Sequence, residues 1–139
     1  MKFSRSKGAR GEREASKEWT KVFGIEARRG VQYQGGAESP DIVTGMAGIH
    51  VEVKRVEAGS PYPWIEQAVR DARHRVPVVL HRRNKQPWLL MVRLEDVPRL
   101  AQEIVAATQG LGAGAVSGSV PGEVLPPTEP VHEGEPRAV

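Results

Sequence analysis

Pro40-Asp41 and Glu52-Val53-Lys54, with ten residues between the two acids, are a set of residue types that can hydrolyse a phosphodiester. Two carboxylates at neighbouring strand ends make a hard, oxygen-rich site suited to magnesium, which keeps several waters and binds through one or two carboxylates plus substrate phosphate. A lysine two residues on can stabilise or help activate the attacking water. The segment Ile49–Lys54 reads as a strand, and its period-two alternation sends Val51 and Val53 to one face and His50, Glu52 and Lys54 to the other. Asp41 opens a second apolar run, Ile42-Val43, that ends at Gly45, and the small residues Met46-Ala47-Gly48 return the chain as an antiparallel neighbour. Such a hairpin brings Asp41 close to Glu52.

Other elements must hold this pair. A first helix is expected from about Arg10 to Phe23, stopped by Gly24, with Ala15, Trp19, Val22 and Phe23 as its apolar stripe. Glu12 lies one turn before Ala15 and so faces inward, either toward the site or simply in the first turn, where the helix dipole favours an acid. Glu14, Lys17, Glu18 and Lys21 are expected to look outward. Ile25–Arg29 reads as a short strand, and the loop from Gly30 to Gly36 leads to Pro40-Asp41. A helix from about Trp64 to Arg75 carries Gln67 at the flank of its apolar stripe, either supporting the site or lying on the surface. Val76–Leu80 and Trp88–Leu94 read as strands, apolar enough for a sheet buried on both faces. They are joined by a basic turn containing Arg82, Arg83 and Lys85, expected to be solvated. A last helix, from about Glu95 to Ala106, offers Val97, Leu100, Ile104 and Val105 to the interior.

At 139 residues the chain is one domain by length, organised as residues 1–106 and a Gly/Pro-rich tail, 107–139, read as flexible. The tail holds four glutamates against one arginine, so the net charge of +3 belongs to a more basic body, which suits a polyanionic partner. With no cysteine, disulfides, thiolate zinc sites and a cysteine nucleophile are excluded. The four histidines lack the close pairing of a zinc site, and each is expected to be a surface or strand residue. No apolar run approaches the length of a membrane span, and the basic amino terminus has no hydrophobic region after it, so a cytoplasmic protein is expected.

The order of helix with acid, strand, strand with Asp, strand with Glu-x-Lys, helix with Gln and strand resembles the PD-(D/E)XK nuclease superfamily from Lys7 to about Val105. Within it, Lys7-Gly8-Ala9-Arg10-Gly11-Glu12-Arg13-Glu14 is similar to the amino-terminal signature of archaeal Hjc-like Holliday junction resolvases and related phage nucleases. The resemblance implies an α/β, restriction-endonuclease-like core (αβββαβ) whose mixed central sheet is flanked by helices. It makes Asp41 and Glu52 metal ligands, adds the backbone carbonyl of Val53, and has Glu12 act through a water or a second ion. Lys54 takes the place of the residue that orients or deprotonates the water, and Gln67 that of a supporting residue. The cofactor implied is Mg2+, with Mn2+ as a substitute; such ions polarise the scissile phosphate and stabilise the leaving oxygen. Resolvases of this group also use a serine in the loop before the Asp, where this chain has Gln34, with Ser39 the nearest serine.

Arg28, Arg29 and Arg55 are expected near the site, and Arg5, Lys7 and Arg10 form a basic arm; all six are candidates to grip phosphates. The function expected is cleavage of branched DNA, a four-way junction above all, in recombination and repair, by a homodimer whose two sites face two strands. A nuclease for other DNA structures and a non-catalytic DNA-binding module are the rivals.

Overall fold

A computed structural model describes residues 2–30 and 39–109 of the chain, with side chains from Lys7 onward. The expected Gln34 lies outside the described residues, as do residues 110–139; Arg5 lies within a helix but its side chain is not described. The elements are α1 (Lys2–Phe23), β1 (Ala27–Arg29), β2 (Ile42–Thr44), β3 (Ile49–Arg55), α2 (Pro61–Ala72), β4 (Val76–Arg82), β5 (Leu89–Met91), a short 3-10 turn (Leu94–Asp96) and α3 (Val97–Gln109). The class is α/β and the αβββαβ order is the one expected. Among the described residues no helix is long and apolar enough to cross a membrane.

The five strands form one mixed sheet in sequence order, β1-β2-β3-β4-β5. β1, β2 and β3 form an antiparallel meander, with Ile42 opposite Val51. β3 and β4 are parallel, Ile49 opposite Val76 through Arg55 opposite Arg82, so α2 is the crossover between them. β5 returns antiparallel against β4.

Alternation along β3 divides the interior into two layers. Ile49 and Val51, with Val76, Val78 and Leu80 of β4, join Ala15 and Trp19 of α1, Ile25, Ile42, Met46 and Leu100 of α3 in one apolar core. The other face of β3 presents His50 and Glu52, both buried, and α2 lies over it with the small residues Ala68 and Ala72 fully buried. Small side chains there let the helix backbone come close to the sheet, and that brings the polar side chains of α2 within reach of β3.

Several expectations are corrected. α1 begins at Lys2, eight residues earlier than expected, so the basic residues Arg5, Lys7 and Arg10 sit on a helix rather than on an arm. α2 begins at Pro61, because proline is tolerated in a first helical turn, and ends at Ala72. β5 is not buried on both faces: it is a three-residue edge strand with Leu89 and Leu90 exposed. In α3 only Leu100 is fully buried, Ile104 and Ala107 are partly so, and Val97 and Val105 are exposed, so its inner face is narrower than the apolar stripe suggests. The helix runs to Gln109, three residues beyond its expected end, because Ala107 still packs against the core. The stop at Gly24 is as expected: its N–H donates to the Thr20 carbonyl, 2.9 Å, with φ at +68°, a conformation costly for other residues.

Candidate active site

Asp41 enters the site from the residue before β2. Its backbone N–H donates to the Val51 carbonyl, 2.9 Å, and its side-chain Oδ2 accepts from the Val53 N–H, 2.7 Å, so the carboxylate is fastened to the strand that carries Glu52. Its own backbone is held on the other side as well, since the Gly30 N–H donates to the Asp41 carbonyl, 2.8 Å. Glycine is required at position 30: an added Cβ would lie 2.2 Å from the Pro40 carbonyl oxygen. The hairpin thus does what its sequence predicts and sets Asp41 beside Glu52.

Burial and like charge dominate this pair. Removal from water is the main cause that raises Asp41 to about 7, and the Glu52 charge adds to it, against the Val53 N–H and Lys54, which favour the ionised form. Glu52 is also raised, first by burial and further by Asp71, while a hydrogen bond from Asp41 opposes the rise. A proton resident on Asp41 and donated to Glu52 accounts for both. Glu12 is raised by burial, opposed by Arg29, with Asp41 near enough to raise it further. Three acids gathered around Asp41, which feels the Glu52 charge and in turn acts on Glu12, form a donor set that a hard divalent cation would relieve, so the residues fit magnesium or manganese.

Lys54 projects on the same face as Glu52, and its Nζ donates to Gln67 Oε1 at 2.9 Å. Gln67 is therefore a partner of the lysine and not a surface residue. One turn further along α2, Asp71 approaches Glu52; it was not singled out by the sequence, although its spacing of four from Gln67 puts the two on one helix face. His50 was not singled out either. It is fully buried, with Nε2 2.7 Å from Glu52 Oε1, because it precedes Glu52 by two on the strand. Its pKa is lowered by burial and then by Arg75, whose Nη2 lies 3.1 Å from Nδ1. Among the described residues His50, Glu52 and Asp71 bring metal-binding atom types within 4.8 Å of one another. Val53, whose carbonyl is the further ligand expected, is tied to Asp41 through its N–H.

The cations divide into two groups. Lys7, Arg10 and Arg28 are exposed. Arg29 donates from Nε to Glu12 Oε2 at 2.5 Å, and its side chain is 43% exposed. Arg55 is enclosed by Glu14, Glu57, Asn84, 2.8 Å from its Nη2, and the Arg82 carbonyl. Glu14, expected to look outward, also pairs with Arg82, and Arg82 donates from Nε to the Gln86 carbonyl, 2.6 Å. The expected solvated turn is thus pinned to α1 at Arg82. The reason is that Glu14, two residues from Glu12, still lies over the end of β3 where Arg55 and Arg82 emerge side by side in parallel register.

Residues 3–111 match a protein family described as "Phage putative PDDEXK endonuclease". No curated protein matches the sequence. Among solved structures, the chain is similar to that of Archaeoglobus fulgidus Hjc, a Holliday junction resolvase from an archaeal hyperthermophile. Identity is 29%, the TM-score 0.46, and the match covers 62% of this chain and 72% of that one.

Proposed function

Because this chain belongs to the phage PDDEXK endonuclease family, we propose that it is a magnesium-dependent endonuclease that cuts branched DNA, with the four-way junction as its preferred substrate. The observation that carries the catalytic part is the convergence of Asp41, Glu52 and Lys54 on one face of the central strand, the acids desolvated and the lysine held by Gln67. Asp41 and Glu52 would hold the cation, with the Val53 carbonyl as a further ligand and Glu12 acting through water. When bound, magnesium supplies positive charge that polarises the scissile phosphate; manganese substitutes for it.

The chain's own side chains supply the rest. Lys54 aims its ammonium at the nucleophilic water and at the charge that grows on the phosphate as water adds and the ester P–O bond breaks. Gln67 limits the rotamers of the lysine, so the ammonium is already oriented when substrate arrives. Lys7, Arg10 and Arg28 are the exposed cations to which we assign phosphate contacts, and Arg5 extends the same helix. Arg29 and Arg55 stand at the edge of this surface and keep Glu12 and Glu14 in place.

The junction preference rests on the Lys7–Glu14 segment and its similarity to resolvase signatures. A symmetric product needs two sites facing two strands, so the active form is a homodimer. The test is cleavage of a labelled immobile four-way junction with magnesium or chelator, beside linear, flapped and nicked duplexes, with Asp41→Ala as the blank. Paired symmetric nicks near the branch, absent in the mutant, support the proposal. Equal cutting of all substrates makes the protein a general nuclease, and binding without cutting leaves a DNA-binding module.

A further inference from the structure

We propose that His50 is the positioning residue of Glu52: an imidazole confined to one tautomer, giving its Nε2–H to the Glu52 carboxylate and its Nδ1 lone pair to Arg75. The inference rests on the role of Glu52 proposed above.

The assignment follows from what each partner can do. A guanidinium has only donors, so Arg75 Nη2, 3.1 Å from Nδ1, requires a lone pair on that nitrogen. The ring proton then belongs to Nε2, which lies 2.7 Å from Glu52 Oε1 and can only donate to it. Both ring nitrogens are used, and His50 is 0% exposed. His50 is therefore not a metal ligand, despite its closeness to Glu52 and Asp71. A cation at Nε2 would displace the donated proton, and one at Nδ1 would face the Arg75 charge. The place left for a cation is the Asp41 side of Glu52.

Glu52 needs such a hold. Its long side chain can take several rotamers, it is 3% exposed, and it stands between Asp41 and Asp71, of which Asp71 opposes its charge. The imidazole is a donor that fixes Oε1 and leaves Oε2 on the Asp41 side, where the cation would bind. Arg75, in turn, is set just before β4, its N–H donating to the Ala72 carbonyl at 3.0 Å, so the chain from Arg75 through His50 to Glu52 ties the site to the end of α2. Partners of this outer kind orient the ligands of a metal and raise its affinity.

The experiment uses the full chain and Mn2+. Calorimetry on wild type, His50→Leu and His50→Gln should show Mn2+ binding weakened about 10–100-fold by leucine. Glutamine, whose amide nitrogen replaces Nε2 as donor, should restore it to within about threefold. In His50→Leu, cutting should recover at high Mn2+. In 15N-labelled metal-free wild type, the His50 ring nitrogens should report the Nε2–H form; this reading decides the matter if His50→Leu does not fold. Wild-type affinity in a folded His50→Leu, an equal loss in His50→Gln, or an Nδ1–H tautomer overturns the role of His50 alone. A wild type that binds no Mn2+ and cuts no DNA overturns the nuclease reading and this inference with it.

Discussion

Asp41→Asn should make the metal-free protein more stable while removing its activity. In the fold Asp41 is raised from 3.8 to about 7, first by burial and then by Glu52. Between those two values the folded protein keeps a proton that the unfolded chain has released, so folding stability falls as pH rises through the window and levels off above it. At about 1.4 kcal/mol per pH unit, the window is worth up to about 4 kcal/mol. Asparagine has nearly the same shape, keeps an oxygen that accepts the Val53 N–H, and has no charge to desolvate. Urea denaturation with chelator should therefore find the mutant more stable than wild type at pH 8 by about 2–4 kcal/mol, with the gap almost closed at pH 4. Magnesium should narrow the gap and, at about one thousand times Kd, reverse it, since only wild type gains binding energy, about 2.7 kcal/mol at one hundred times Kd and about 4.1 kcal/mol at one thousand times. A gap that does not change between pH 4 and pH 8, or a mutant less stable at both, would refute the claim that the fold strains this carboxylate for the sake of a cation.

Gln67→Leu should lower kcat about 10-fold with little change in Mg2+ affinity, since it removes the anchor of Lys54 and no ligand; single-turnover cleavage beside calorimetry checks both. Glu14→Gln should destabilise the protein by about 1–3 kcal/mol in chemical denaturation, because it leaves Arg55 and Arg82 together without their shared acid. Exchanging Lys7 and Arg10 together for alanine should lower the slope of log binding constant against log salt by about 2 without changing the substrate order, measured by titration in Ca2+. An unchanged slope would remove these two residues from the DNA surface.

The site depends on the sheet being mixed. An antiparallel hairpin carries Asp41 to Glu52 through main-chain bonds, which are stiff and local. A parallel crossover then lays α2 over the same face of β3, and the helix delivers Gln67 and Asp71 one turn apart to Lys54 and Glu52. α1 brings Glu12 close to Asp41. Asp41 is fastened by Val53, Lys54 by Gln67 and Glu12 by Arg29, each partner from a different element, while Glu52 is held by His50 of its own strand, which explains how the buried acids stay in place against their mutual repulsion.

The sequence by itself determined what depends on neighbours along the chain. The alternation His50-Val51-Glu52-Val53-Lys54 gives the two faces of β3, the turn at Gly45–Gly48 sends β2 back against it, and Gly24 ends α1. These follow from backbone geometry over a few residues, and so Asp41, Glu52 and Lys54 were legible as a group. Tertiary structure decided the partners that reach across from elsewhere. Nothing in the spacing shows that His50 is enclosed by Arg75, that Asp71 comes up to Glu52, or that Glu14 turns inward to Arg55 and Arg82. Those contacts depend on how closely α2 and α1 approach the sheet and on the parallel register of β3 and β4, which only the packed core sets. The same packing strips water from the acids, and that desolvation, absent from any pattern of residue types, is what raises Asp41 and Glu52 and makes the site call for a cation.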